Sequence, residues 1–190
     1  MVDARQQRTR ERLREAILAL GTRGPVSGIT MAELAGTAGV NRSTVYEHTT
    51  SPQALLEQVL LDELDRVRER HLVGLTPELA GAASRAVMID VLAHVDDHAE
   101  IYRRGLGDAS RPGPLLAVLA GHFRESVRLI LAGGAVRPPP GAPPAETIAR
   151  FIGDGAAGAV TSWLDGDGGR DPEEFADAYG TLVPTWWLGA

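Results

Sequence analysis

Apolar residues recur every three or four positions through most of the chain, which is the spacing of an amphipathic α-helix. The first such stripe consists of Leu13, Ile17 and Leu20, and it predicts a helix over about residues 8–20. Gly24-Pro25 ends that pattern, because neither residue continues a helix readily. The same period returns in later segments, so the sequence predicts an all-α fold of about nine helices.

Two short helices are predicted directly after the first. Thr30 and Glu33 have the spacing of a capping box, in which the hydroxyl and the carboxylate satisfy free backbone N–H groups, so a second helix begins after Thr30. Gly39 can take the left-handed conformation that ends this helix. Asn41 can then cap a third helix over about residues 42–48.

The third helix is unusually polar. Its hydrogen-bonding residues are Asn41, Arg42, Ser43, Thr44, Tyr46, Glu47 and His48. Only Val45 is a clear inward-facing apolar residue, whereas a helix inside a globular core needs a wider apolar stripe. This helix must therefore face water or a polar partner. Two short helices joined by a Gly-containing turn, after one longer helix, are the layout of a DNA-binding helix-turn-helix.

The rest of the chain predicts helices four to nine, and Asp97 and Glu100 cap the sixth helix of the chain. The fourth to eighth helices cover about residues 52–70, 76–95, 97–105, 114–132 and 144–164. The ninth opens at Asp171-Pro172 and extends to Trp186. A loop over 108–114 precedes the seventh helix, and a Pro/Gly-rich linker over 133–144 precedes the eighth. We expect a helix-turn-helix domain over residues 1–51 and a larger helical domain over residues 52–190.

Composition restricts the chemistry. The chain contains no Cys, which excludes disulfides, thiol nucleophiles and cysteine metal sites. It carries 19 Arg and no Lys against 25 acidic residues, a net charge of −6. Residues 1–50 hold seven of the Arg and five of the acids, a local charge of +2 that leaves −8 for the rest. A cationic end on an anionic body is expected where that end meets phosphates, although exposed Arg can also serve only solvation.

Specific residues of the second, third and fourth helices recur in a known order and spacing. They are Ile29-Thr30-Met31-Ala32-Glu33-Leu34-Ala35, Ala38-Gly39-Val40, Ser43-Thr44-Val45-Tyr46, His48, Ser51 and Ala54-Leu55-Leu56. This pattern resembles the DNA-binding signature of the TetR family of transcription regulators. The resemblance implies an all-helical homodimer with a C-terminal ligand-binding domain, bound to operator DNA and usually acting as a repressor that a small molecule releases.

The resemblance also implies roles for single residues. Arg42, Ser43 and Tyr46 fall at base-contacting positions, and Thr30, Thr44 and His48 fall at phosphate-contacting positions. The side chains alone support part of this, because the guanidinium of Arg42 fits the O6 and N7 acceptors of guanine. Glu47 either accepts a hydrogen bond from cytosine N4 or, as we favour, turns toward an Arg of a neighbouring helix.

A small-molecule effector requires a mostly apolar pocket with a few polar groups. The candidate residues are Met88, His98, Tyr102, His122, Phe123 and Trp163. His94 and His98 have the i, i+4 spacing of metal ligands on one helix face. However, a helix cap at Asp97 would separate them and no third ligand is evident, so we predict neither a metal site nor a cofactor.

The eighth helix has a centre of Gly, Ala and one Asp over residues 153–159. Such a poor helix former is expected where another backbone approaches closely. By resemblance, the last two helices form a homodimer interface. Its predicted contacts are Gly155, Ala159, Trp163, Phe175, Tyr179 and Leu182. The alternative is that the same residues complete the core of a monomer.

The sequence patterns distinguish three classes of function: a DNA-binding regulator, an enzyme and a structural helical dimer. No nucleophile elbow, phosphate-binding loop, metal signature or catalytic carboxylate pair is present, so we predict that the protein is not an enzyme. A small-molecule-binding helical enzyme or a scaffold dimer with a repurposed helix-turn-helix is the alternative. No membrane span or export signal is evident. We therefore expect a cytoplasmic regulator that binds double-stranded operator DNA.

Overall fold

The computed structural model describes residues 4–108, 111–166 and 169–187. Across these residues the chain forms nine α-helices and one short hairpin, so the all-α prediction is confirmed. In chain order the elements are α1 (Ala4–Arg23), α2 (Met31–Ala38), α3 (Arg42–His48), α4 (Pro52–Leu72), α5 (Ala80–Asp97), α6 (Ala99–Gly105), β1 (Gly107–Asp108), β2 (Arg111–Pro112), α7 (Pro114–Ala132), α8 (Ala145–Asp165) and α9 (Pro172–Gly180).

Polar side chains cap the first turns of α2 and α4. The Thr30 hydroxyl accepts a hydrogen bond from the Glu33 backbone N–H at 3.1 Å, and the Ser51 hydroxyl accepts one from the Ala54 N–H at 3.1 Å. Each bond satisfies a donor that the first turn of a helix leaves free. Asn41 occupies the position before α3 but makes no side-chain capping bond there.

The junction between α5 and α6 differs from the prediction. Asp97 is the last residue of α5 instead of the cap of α6, and His98 occupies the junction. The His98 N–H still donates to the His94 carbonyl at 3.2 Å, and the Tyr102 N–H donates to the His98 carbonyl at 3.0 Å. Because backbone bonding continues through the junction, His94 and His98 keep their helical spacing.

Three other boundaries also differ. α1 begins at Ala4 and ends at Arg23, so it is longer at both ends than the predicted helix over about residues 8–20. α9 ends at Gly180, which places Leu182 outside the helix, because Gly is a poor helix former and Pro184 cannot continue one. The predicted loop over 108–114 overlaps the β1–β2 hairpin, which begins at Gly107 and pairs that residue with Pro112.

The hydrophobic core extends across the predicted domain boundary. Leu13 and Ile17 of α1 are fully buried in the same cluster as Leu60 and Leu64 of α4. That cluster continues through the later helices as far as Ala176 of α9. The division at residues 51 and 52 stays a prediction, since the two parts share this core.

Gly39 is the position where the helix-turn-helix depends most on a glycine. It lies at φ 61°, in the left-handed region, and we expect Gly39→Ala to lower the free energy of unfolding by about 1–2 kcal/mol. Gly36→Ala is the matched control, because Gly36 is an exposed helical residue with no described contact within 4 Å of an added Cβ.

The control should raise stability by up to about 1 kcal/mol, through the higher helix propensity of Ala. Urea unfolding followed by circular dichroism measures both variants. Equal changes in the two would contradict the conformational role of Gly39.

Candidate DNA-binding surface and effector cavity

The surface of α3 is exposed on all sides but one. Val45 is fully buried, whereas Arg42, Ser43 and Tyr46 are exposed, and 54% of the Tyr46 side chain is accessible. A helix with one anchoring residue contributes little to the core. Its polar side chains are therefore available to a partner.

Arg42 and Tyr46 lie one helical turn apart and contact each other. The Arg42 Nη2 donates to the Tyr46 hydroxyl at 3.3 Å, and its Cζ lies 5.7 Å from the centre of the ring. A guanidinium near the face of an aromatic ring gains a modest cation–π attraction, which reduces the number of orientations that both side chains sample. The pair presents a preformed set of donors together with an apolar ring.

The turn between α2 and α3 is fixed to α1. Arg12 of α1 donates to the Gly39 carbonyl at 2.6 Å. Thr30 is exposed at the start of α2, and its hydroxyl can still donate outward while it accepts from Glu33. The half-buried Thr44 and His48 complete the six residues predicted to contact DNA, all of which belong to α3 or cap α2.

Within the described residues, Glu47 does not pair with an Arg of a neighbouring helix, which was the interpretation favoured from the sequence. It is exposed, and no Arg in the described ranges forms an ion pair with it. The predicted intramolecular pair is therefore wrong.

A cavity of about 590 Å³ lies among α5, α7, α8 and α9. Its walls are mostly apolar, and two of the predicted effector contacts, Met88 and Phe123, line it. Ser84 also lines the cavity, and its buried hydroxyl has no hydrogen-bond partner within the described part of the chain. An apolar cavity of this volume with one free hydroxyl has the character of a small-molecule site.

An ion pair joins two walls of the cavity. Arg85 of α5 donates to both carboxylate oxygens of Asp177 of α9, at 2.5 and 3.1 Å. The hydrogen bond to Arg85 lowers the pKa of Asp177 below its usual value. Because both side chains are exposed, the pair adds little stability, but it ties α9 to α5 beside the cavity.

The other predicted effector contacts lie elsewhere. Trp163 is buried against Phe175, with ring centres 6.2 Å apart. His122 is fully buried, and its Nδ1 lies 3.3 Å from Nη1 of Arg68. Burial, together with the nearby charge of Arg68, lowers the pKa of His122 to about 3, so the imidazole is neutral near pH 7. Neither residue lines the cavity.

His98 and Tyr102 belong to a polar cluster between α1, α4, α5 and α6. His98 Nε2 lies 2.9 Å from Glu63 Oε2, and His94 Nδ1 lies 3.3 Å from the same oxygen. The other carboxylate oxygen accepts hydrogen bonds from Arg14 at 2.6 and 3.0 Å.

The charge of Glu63 is stabilised by these neighbours. Burial raises its pKa, but the hydrogen bonds from the two imidazoles and the guanidinium outweigh burial and bring the pKa well below its usual range. Both arguments from the sequence against a metal site are wrong. Backbone hydrogen bonding continues from His94 to His98, and Glu63 is a third potential ligand. The carboxylate was missed because it lies 31 residues before His94 in the sequence.

The outer face of α8 has no described partner. Phe151 is 72% exposed, and an added Cβ at Gly155 or Gly158 would meet no described atom within 4 Å. The opposite face packs on α7, where Gly153 leaves room for Arg124.

The predicted dimer contacts on α8, on α9 and just after α9 differ in their exposure. Gly155 and Leu182 are exposed and Ala159 is half-buried, so all three are accessible. Phe175 and Tyr179 are half-buried, and Trp163 is buried within the chain.

None of the helices in the described part of the chain has an apolar stretch that could cross a lipid bilayer. Comparison of the sequence with protein-family models and with curated proteins gives no match. Solved structures do match it. A TetR-family regulator from Streptomyces coelicolor A3 superposes with a TM-score of 0.71 over 98% of each chain, at 17% sequence identity.

The chain has the TetR-family fold. Two further similar structures are an activator and a repressor. The dihydroxyacetone kinase operon activator DhaS matches with a TM-score of 0.64 at 11% identity, over 92% of this chain and 93% of its own. The TetR-family repressor AlkX of a Dietzia species matches with a TM-score of 0.54 at 19% identity, over 91% of each chain.

Proposed function

We propose that this protein is a sequence-specific, DNA-binding transcription regulator that acts in the cytoplasm. The observation that carries the proposal is the surface of α3, where only Val45 is buried and a paired Arg42 and Tyr46 face outward. A helix that is exposed and rich in donors, at the end of a helix-turn-helix, has the shape and chemistry to enter the major groove. The TetR-family fold supports this use of the helix.

The side chains of this surface would divide into two groups. Arg42, Ser43 and Tyr46 lie on the exposed side of α3 and would contact base edges, with Arg42 bidentate to guanine. Thr30, Thr44 and His48 would contact phosphates and fix the position of the helix on the duplex. The net charge of +2 on residues 1–50, against −8 on the remainder, would orient the protein with this end toward DNA.

Two copies would associate through α8 and α9. The exposed Phe151 and the adjacent small residues of α8 form a face that a second α8 can approach closely. A two-fold dimer would place two α3 helices on successive turns of the major groove, so the operator would be palindromic. Trp163 would support this interface from within the chain, since it is buried.

The cavity among α5, α7, α8 and α9 would bind a small, largely apolar effector. Met88 and Phe123 supply apolar contacts, and the unpaired hydroxyl of Ser84 supplies a polar one. Effector binding beside the Arg85–Asp177 pair would shift α5 relative to α9 and release the operator. We infer repression by default, although DhaS shows that an activator is also compatible with this fold.

This proposal assigns binding, and no catalytic step, to the protein. The remaining candidate is a helical enzyme or scaffold dimer that has kept the helix-turn-helix for another use. It is the outcome to accept if the protein shows no preference for any DNA.

The first prediction from this proposal concerns the contacts with bases. Arg42→Ala should weaken binding to the specific site by about 1–3 kcal/mol, because a bidentate contact to guanine is lost. Binding to random DNA should change much less. Fluorescence anisotropy with the DNA flanking the gene, compared with random DNA at several salt concentrations, measures both.

Arg137→Ala is the control, since it removes the same charge from an exposed position on the body. Tyr46→Ala added to Arg42→Ala should abolish the preference while the melting temperature stays within a few degrees of the wild-type value. Retained specificity in the double variant would contradict the assigned contacts.

A second prediction concerns the dimer. Phe151→Asp should convert the dimer to a monomer in light scattering coupled to size exclusion, because a charge cannot be buried unpaired in the interface. Val73→Asp, at an apolar residue 80% exposed after α4, is the matched control and should remain dimeric. A dimer that survives Phe151→Asp would place the interface on another surface.

The third prediction concerns the cavity. Val127 of α7 lines it, and Val127→Trp should fill part of its volume and weaken effector binding at least tenfold without loss of DNA binding. Val118→Trp makes the same change on the same helix outside the cavity. Apolar compounds that release the operator from the wild type should therefore still act on Val118→Trp. Equal action on both variants would indicate a different effector site.

A further inference from the structure

We propose that Glu63, His94 and His98 bind a divalent transition-metal ion of the zinc class. One carboxylate and two imidazoles are a ligand set that proteins use for Zn²⁺, with a fourth position open to water. Each of the three side chains is largely buried, with 12%, 9% and 19% of its surface accessible. The site is separate from the effector cavity, which none of these residues lines.

The distances between the ligand atoms fit one tetrahedral ion. Glu63 Oε2 lies 3.3 Å from His94 Nδ1 and 2.9 Å from His98 Nε2, and all three atoms lie within 4.8 Å of one another. Ligands about 2.0–2.1 Å from a tetrahedral ion are about 3.3 Å apart. The three groups therefore need only small side-chain rotations to share an ion.

The backbone supports the same arrangement. His94 lies in the last turn of α5 and His98 directly follows that helix, and their rings are 5.0 Å apart at an angle of 74°. Glu63 reaches them from α4. Because the three ligands come from two packed helices, the positions of their side chains are determined by the core beneath them.

Tyr102 positions one of the ligands. Its fully buried hydroxyl lies 2.9 Å from His94 Nε2, on the opposite side of the ring from the Nδ1 that faces Glu63. A metal-ligating imidazole commonly donates its other N–H to an oxygen of this kind, which fixes both the tautomer and the ring orientation. With an ion on Nδ1, the Nε2–H of His94 would donate to Tyr102.

Arg14 leaves one carboxylate oxygen for the ion. The guanidinium contacts Oε1 of Glu63, whereas both imidazoles face Oε2. A bound ion would take Oε2 in place of two N–H···O bonds. The site differs from the metalloprotease motif on a helix, in which Glu directly follows the first His, because Val95 occupies that position.

The ion would lie where the helix-turn-helix meets the body. Arg14 belongs to α1, and Arg104 of α6 donates to the Gly21 carbonyl of the same helix at 3.0 Å. An ion that ties α4 to the end of α5 would therefore restrict the position of α1. This consequence for DNA affinity rests on the proposed function, whereas metal binding itself does not.

The test uses tag-free, full-length protein that has been treated with a chelator and titrated with Co²⁺, followed by visible absorption. We expect the intense bands of tetrahedral Co²⁺, saturating at one ion per chain and lost when Zn²⁺ is added. The double variant His94→Gln, His98→Gln should lose at least tenfold in affinity. His71→Gln, which removes a histidine paired with Asp90 at 2.9 Å, is the control and should bind as the wild type does.

Circular dichroism of the metal-free variants checks that the fold is retained, and Glu63→Gln provides a second variant if the double variant does not fold. Absence of Co²⁺ bands in the wild type would overturn the proposal. So would affinity that survives loss of both histidines, or that falls equally in His71→Gln.

A separate measurement tests the coupling. Zn²⁺ should change the affinity for specific DNA at least threefold in the wild type and not in the metal-site variant. If Co²⁺ binds but no DNA is bound with or without metal, the proposed function fails and the metal site stands. If DNA binds and Co²⁺ does not, the metal site fails and the proposed function stands.

Discussion

Burial of one apolar face of α4 is the interaction on which the rest of the structure depends. Leu60 and Leu64 are fully buried there, and they share a cluster with α1 on one side and with α5 and α7 on the other. Each buried leucine contributes about 1.5–3 kcal/mol, while a partly exposed ion pair such as Arg14–Glu63 contributes about 1 kcal/mol or less. The apolar face of α4 therefore joins α1 to α5 and α7, and the ion pair beside it adds little to stability.

That arrangement separates stability from recognition. α3 contributes little beyond Val45 to the core, so its exposed residues are free to serve a partner at small cost in stability. The cavity is built in a comparable way. Apolar residues of four helices form its walls, while Ser84 supplies an isolated hydroxyl and the Arg85–Asp177 pair joins two of the walls.

The polar cluster around Glu63 follows a different principle. Two imidazoles and a guanidinium surround a carboxylate that is largely removed from water, and they stabilise its charge. Four helices supply those groups and Tyr102, so a shift of one helix changes its contacts with the other three. This charge network lies between α1 and the helices packed against it.

Local patterns determined most of the secondary structure. Three local signals predicted the helix-turn-helix and its exposed surface: the capping box at Thr30, the glycine at position 39 and the single apolar residue of α3. Each depends only on residues that are close together in the sequence. The shortened α9 and the uninterrupted junction at His98 were not predicted, because end positions depend on backbone bonds that several residue types can make.

Only the tertiary structure decided which side chains meet. Met88 and Phe123 line a cavity while Trp163 and His122 do not, although all four were candidates of similar character. Glu63 could not be joined to His94 and His98 from the sequence, because the packing of α4 on α5 brings together groups 31 residues apart. Sequence periodicity specifies which face of each helix is apolar, but the rotation and spacing of packed helices determine the contacts between them.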